Sequence, residues 1–142
     1  IAGIPHISST TERLQGYRDA MKNLGLPVPD GFIQFGNSME NIAHTCTAKL
    51  LEFGCTALVV SNGVMSIDAL HYCTKNDLTV GKDLDLVCFN EYPAMMNAKN
   101  VGYIYQPVDE LGNTAGNQIL YRIKNAKAPV KEFVLMGTFT GG

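Results

Sequence analysis

The stretch from Thr56 to Leu70, Thr-Ala-Leu-Val-Val-Ser-Asn-Gly-Val-Met-Ser-Ile-Asp-Ala-Leu, constrains the fold more than any other. A short apolar run ends in the polar Ser61-Asn62-Gly63 loop, and apolar residues then recur at helical spacing. This reads as strand, loop, helix. In open parallel sheets, ligands are met at the carboxyl ends of strands, where such loops gather. Asn62 is therefore expected near any small ligand.

The same alternation runs along the whole chain. Ile1 to Ile4 reads as a strand, followed by a polar loop whose Ser and Thr residues suit helix N-caps, with Glu12 in the first turn. A helix to about Leu24 carries Leu14, Tyr17, Ala20, Met21 and Leu24 on one face, and Gly25 stops it. Phe32 to Phe35 is expected as a strand. Asn37 or Ser38 would cap the next helix, in which Ile42, Cys46, Leu50 and Leu51 form the apolar face. Leu58-Val59-Val60 is expected as a buried strand, and the helix after Gly63 as turning Met65, Ala69, Leu70 and Cys73 to the sheet until about Asn76. Leu84 to Phe89 and Val101 to Tyr105 are two more strands, with Asn90-Glu91-Tyr92-Pro93 breaking the first. Gln106-Pro107 disfavours helix at Gln106 while letting one begin at Pro107. That helix, with Leu111, Ala115, Ile119, Leu120 and Ile123 inward, would end between Asn125 and Ala128, and Pro129 to Met136 would form the last strand. Such alternation predicts an α/β fold, with a mostly parallel sheet and right-handed crossovers.

Composition narrows the function classes. The 142 residues suit one domain with its own core. A formal net charge of -2 and the lack of any basic run offer no general attraction to nucleic-acid phosphates. No apolar run approaches the roughly 20 residues needed to span a bilayer. No signal peptide is legible, and a chain opening on Ile1 in what reads as a strand is expected to be a piece of something longer. Cys46, Cys55, Cys73 and Cys88 form no close pair and lie in or beside apolar segments, so buried free thiols in a reducing compartment are expected, with a zinc site or disulfides as the alternative.

No strong catalytic signature appears: no glycine-rich nucleotide loop, nucleophile elbow or zinc-binding His-Glu-x-x-His. His6, His44 and His71 are scattered, so no metal is called, and no cofactor. Arg13 lies early in the first helix. It could clasp vicinal hydroxyls or a carboxylate in a two-pronged fork, or simply pair with Glu12 or Asp19 at the surface. Asn62 offers one acceptor and two donors to a hydroxyl, or marks an ordinary Asn-Gly turn. Asn90 and Glu91, at the end of another strand, invite the same two readings, and Gln106, just before a proline, is either a pocket group or a crossover residue.

Taken in order, Arg13-Leu14-x-Gly16-Tyr17, then Thr56-Ala57 through Asn62, Met65 and Ala69-Leu70, then Leu86-Val87-x-Phe89-Asn90, then Gln106-Pro107 and Leu111-Gly112, resemble the carboxyl-terminal part of the effector-binding core in lactose- and galactose-repressor (LacI/GalR) type transcriptional regulators. Phe133 to Thr138 resembles that core's last strand. The resemblance implies a periplasmic-binding-protein-like (type I) lobe, a fragment of a two-lobed core. Residues 1 to 105 would form most of the carboxyl-terminal lobe, 106 to 128 would cross to the amino-terminal lobe, and 129 to 142 would give the last strand and tail.

It further implies an allosteric, non-enzymatic protein of the cytoplasm, which binds a sugar or sugar derivative and acts as a homodimer. Operator DNA would be held through a headpiece outside this chain. Arg13, Ser9, Asn62, Asn90 and Gln106 match effector-binding positions, and Ile67, Leu70 and His71 match a helix that pairs subunits. Three departures stand out. Gly63 replaces a common aspartate, Asn90 replaces another, and Gly36-Asn37-Ser38 lacks an aromatic used for stacking on a sugar. Fewer carboxylates near Arg13 favour an anionic effector, such as a sugar phosphate or sugar acid. The rival readings are a periplasmic sugar-binding protein of a transporter, and an α/β enzyme for which no nucleophile-base pair or paired carboxylate can be assembled.

Overall fold

The structure, a computed structural model, describes residues 1–39, 41–89 and 98–141. In chain order it comprises α1 (Ser8–Asn23), α2 (Ile42–Glu52), β1 (Ala57–Val60), α3 (Gly63–Lys75), β2 (Asp85–Phe89), β3 (Val101–Tyr105), α4 (Val108–Lys124) and β4 (Thr138–Thr140). The sheet order is β1-β2-β3-β4. β1, β2 and β3 run parallel, and β4 joins antiparallel at the edge beside β3. The α/β, mostly parallel arrangement expected from the alternation is thus present.

Strand periodicity explains the core. The register aligns Leu58 with Leu86 and Val101, and Val60 with Cys88 and Tyr103, so two rows of buried side chains cross three strands on one face. α3 closes over those rows with Met65, Ala69 and Cys73, and α2 packs on α3 through Ala43 and Leu50. Each large side chain buried there contributes roughly 1.5–3 kcal/mol. Polar groups inside are satisfied locally: the Thr47 hydroxyl donates to Ala43 O and the Ser66 hydroxyl to Asn62 O, both at 2.7 Å. Met65 also needs a bare backbone opposite it. A Cβ on Gly36 would lie 2.5 Å from the Met65 sulfur.

Several expectations change. The strands expected at residues 1–4 and 32–35 contract to one parallel bridge between Ala2 and Phe35, held by Ala2 N to Gln34 O and Gly36 N to Ala2 O. The chain turns away on both sides of that bridge, at His6 with φ 67° and at Gly31 with φ 97°. Ser61 N donates to Ile1 O, which ties the bridge to the edge of β1. β1 is buried on one face only, since Val59 is 41% exposed toward α1. α1 begins at Ser8 after Ile7, so its Ser and Thr residues form the first turn and leave the N-cap without a side-chain bond; Glu12 falls beyond that turn. α2 starts at Ile42, with Asn41 rather than Asn37 or Ser38 before it and in a left-handed conformation at φ 66°.

The largest departure lies after Gln106. α4 forms where expected, helped by Asp109 and Glu110 in its first turn and Arg122 and Lys124 in its last, which complement the helix dipole. None of its residues is buried, so Leu111, Ala115, Ile119, Leu120 and Ile123 do not face inward. Pro129 to Met136 is not a strand either; pairing begins only at Thr138, because a ladder needs a neighbour and residues 129–136 meet no strand among the described residues.

Candidate functional site

The carboxyl ends of the parallel strands converge where Ser61 and Asn62 follow β1, Phe89 ends β2 and Gln106 follows β3. Asn62 is extended, with φ -158°, and caps α3 by accepting from Met65 N at 2.9 Å. Its amide nitrogen donates to Ser38 Oγ at 2.7 Å. Both ends of the side chain are thus held. The orientation comes from α3 on one side and from Ser38 on the other, where Asn37, Ser38 and Asn41 all take positive φ. Where a stacking aromatic was missed in the sequence, a serine pins the asparagine.

Arg13 reaches the same place from α1. Its Nη1 donates to Ser61 O, and its guanidinium lies 4.3 Å from the centroid of the Phe89 ring. Among the described residues it makes no ion pair, so the surface pairing with Glu12 or Asp19 is not formed; Asp19 instead accepts from Gln15 at 2.8 Å. Burial alone lowers the Arg13 pKa from its ordinary value, with no carboxylate acting against it. A half-buried, uncompensated guanidinium is suited to an anionic or strongly polar partner.

The cavity beside it measures about 510 Å³ and lies between α1 and the sheet. Thr10, Arg13 and Ser61 line it at the carboxyl end of β1, Thr56 and Asp85 at the amino ends of β1 and β2, and Leu14, Tyr17 and Val59 supply apolar wall. Among the sequence candidates, Arg13 and Asn62 come together through Ser61. Ser9 is exposed in the first turn of α1, next to Thr10. Gln106 is exposed two strands away from β1, about 10 Å across the sheet by the ordinary strand spacing. Asn90 lies outside the described residues. Ile67 and Leu70 are half-buried against the core, while His71 is exposed.

Sequence reasoning missed Thr10, Ser38, Ser61 and Phe89 as site residues. The signal for Ser61 was its place directly after a strand; for Thr10 there was none, since a Ser-Ser-Thr-Thr run reads as capping. Cys46, Cys73 and Cys88 are buried free thiols as expected, and Cys55 is half-buried. Burial pushes Cys88 up to about 11, which keeps it protonated and inert.

Polar groups gathered at the strand ends of a parallel sheet are the arrangement in which open α/β folds receive ligands. The comparisons place the chain: the periplasmic binding protein-like domain matches residues 2–140, and the chain belongs to that family. Its relatives are regulators of the LacI type. The ribose operon repressor of Escherichia coli K12 is 30% identical over 114 residues, 78% of this chain and 34% of that protein. A probable opine utilization operon repressor of Rhizobium rhizogenes is 27% identical over 133 residues, 91% of this chain and 67% of that protein. A regulatory protein of the LacI family from Chloroflexus aggregans superimposes with a TM-score of 0.83 at 27% identity, covering 97% of this chain and 51% of that one. This chain therefore spans about a third of the ribose operon repressor and about half of that solved chain. These likenesses favour the regulator over the transporter protein. No helix among the described residues is long and apolar enough to cross a membrane.

Proposed function

We propose that this chain is the effector-binding and dimerisation part of a sugar-responsive transcriptional regulator, whose operator contacts are made by a headpiece outside residues 1–142. The observation that carries the reading is Arg13, uncompensated among the described residues, fixed beside Asn62 at the strand ends of a lobe whose relatives are operon repressors. The protein is not an enzyme in this reading and works in the cytoplasm. An effector that prefers one arrangement of two lobes shifts the population of DNA-competent dimer by its differential affinity.

Residues 1–105 form most of one lobe in this proposal. The uncovered face of α4 and the unpaired residues 129–136 would lie against a second lobe, with the chain returning at Thr138 to the edge of β3. Arg13, Ser9, Asn62 and Gln106 bind the effector in this reading, together with Asn90, which lies outside the described residues. Ile67, Leu70 and His71 retain exposed area for a second subunit. The effector is an anionic sugar derivative, because Gly63 and Asn90 stand where carboxylates would otherwise balance Arg13.

The test is fluorescence anisotropy of the full-length protein on its operator, with neutral sugars set against their phosphates and acids. Release or capture of DNA by an anionic member, lost in Arg13→Gln, is expected. Tight binding of a neutral sugar with no gain from phosphate or carboxylate would sink the anionic assignment.

A further inference from the structure

Beside Arg13 stand two hydroxyls, on residues the fold has nearly covered, whose oxygens bond to no protein group among the described residues and keep contact with the opening. Thr10 and Ser61 are each only 8% exposed. Among the described residues neither side chain makes a hydrogen bond, and both line the cavity at the carboxyl end of β1. They come from different elements, Thr10 from the first turn of α1 and Ser61 from the end of β1, and meet over the bare backbone of Gly3. A Cβ on Gly3 would lie 2.7 Å from Thr10 Oγ1, 3.3 Å from Ser38 Oγ and 3.9 Å from Ser61 Oγ.

No buried side-chain oxygen among the described residues lacks a partner, so these two hydroxyls remain open to the cavity and free to bond what enters it. Both hydroxyls can donate. The first turn of α1 contains no acidic residue and its cap makes no side-chain bond, so the positive end of the helix dipole adds to the field. Arg13 supplies a full charge, with one nitrogen committed to Ser61 O and its other N–H groups in the same guanidinium plane. Donors from three directions around a small space match an oxygen atom bearing negative charge.

We propose that Thr10 and Ser61, with Arg13, form an oxyanion subsite that receives a carboxylate or phosphate oxygen of the effector. This deepens the effector-site reading and rests on it for the identity of the ligand, but the anion binding itself is separately measurable. Thr10 and Ser61 are then determinants of specificity that a comparison of motifs does not reveal, and Gly3 keeps the subsite open.

The experiment titrates the full-length protein with inorganic phosphate and, separately, with acetate, against chloride at matched ionic strength, and follows thermal unfolding. A saturable rise in Tm with phosphate alone identifies a phosphoryl group, and with acetate a carboxylate. Thr10→Val and Ser61→Ala should each weaken the apparent affinity by roughly 10-fold or more, as expected for losing a charge-assisted hydrogen bond. Thr10→Ser keeps the hydroxyl and should restore binding, while Gly3→Ala should displace Thr10 Oγ1 and weaken it. No saturable effect of either anion overturns the proposal, as does equal affinity in Thr10→Val and Ser61→Ala. Operator binding is measured on the same preparations: its absence, with anion binding intact, would overturn the regulator reading and leave the subsite standing.

Discussion

α3 and α4 carry the same kind of sequence signal and end in opposite surroundings. Both space apolar residues at helical intervals, and both begin directly after a strand of the parallel sheet. In α3 that face is closed off: Met65 and Ala69 have no exposed surface. In α4 it stays open, with Ile123 73% exposed. Amphipathic spacing states that a helix has a face to cover, and leaves unstated what covers it. The difference lies in the connection: α3 leads straight back into β2, whereas the chain after α4 runs unpaired from 129 to 136 before rejoining the sheet at Thr138.

The contrast can be broken or sharpened by mutation, beginning with the largest effect. Met65→Ala should destabilise the chain by about 2–5 kcal/mol in urea unfolding, the cost of a cavity in a packed interior. A loss below about 1 kcal/mol would mean that α3 is not the lid of the core. Next comes pH. An unfolded Cys88 loses its proton near its ordinary value of 9.0, while the native thiol holds on to about 11. The unfolded state therefore binds fewer protons between those values, and stability should fall as pH rises from about 9 to 11, by roughly 2–3 kcal/mol. Cys88→Ala should flatten that part of the profile.

A smaller effect is expected at the start of α3. Asn62→Ala removes the cap on Met65 N and the bond to Ser38, and should cost about 1 kcal/mol, read as a drop in Tm. The smallest belongs to α4: Ile123→Ala in the 142-residue chain should change stability by less than about 0.5 kcal/mol, since no covered surface is lost. In the full-length protein the same substitution should cost about 2 kcal/mol or more if a second lobe covers that face. Equal, small effects in both would remove the case for that lobe.

Much of the site was legible because its positions follow strands. Ser61-Asn62-Gly63 announced itself as a break between an apolar run and a helical period, and Arg13 as a guanidinium early in a helix. The choice between their readings was not legible. Whether Arg13 paired with Asp19 or reached Ser61 O depended on how α1 lay over β1, and a one-dimensional pattern carries no such distance. The Asn-Gly signal offered a turn or a ligand contact, and the structure made Asn62 a helix cap held by Ser38. Thr10 was hidden for the same reason: a hydroxyl in a first turn comes to line a cavity only when Gly3 and Ser61 lie beside it.

The sequence by itself determined the succession from β1 to α4 and the mostly parallel sheet, because the change from an apolar run to a helical period is a local property of the chain. Tertiary structure decided everything that depends on a neighbour far along the chain. It reduced two expected strands to the Ala2–Phe35 bridge, buried β1 on one face only, opened a cavity over Val59 lined by Thr10, Arg13 and Ser61, and left α4 and residues 129–136 without cover. Local spacing fixes which way a side chain points; only packing decides whether anything is there to meet it.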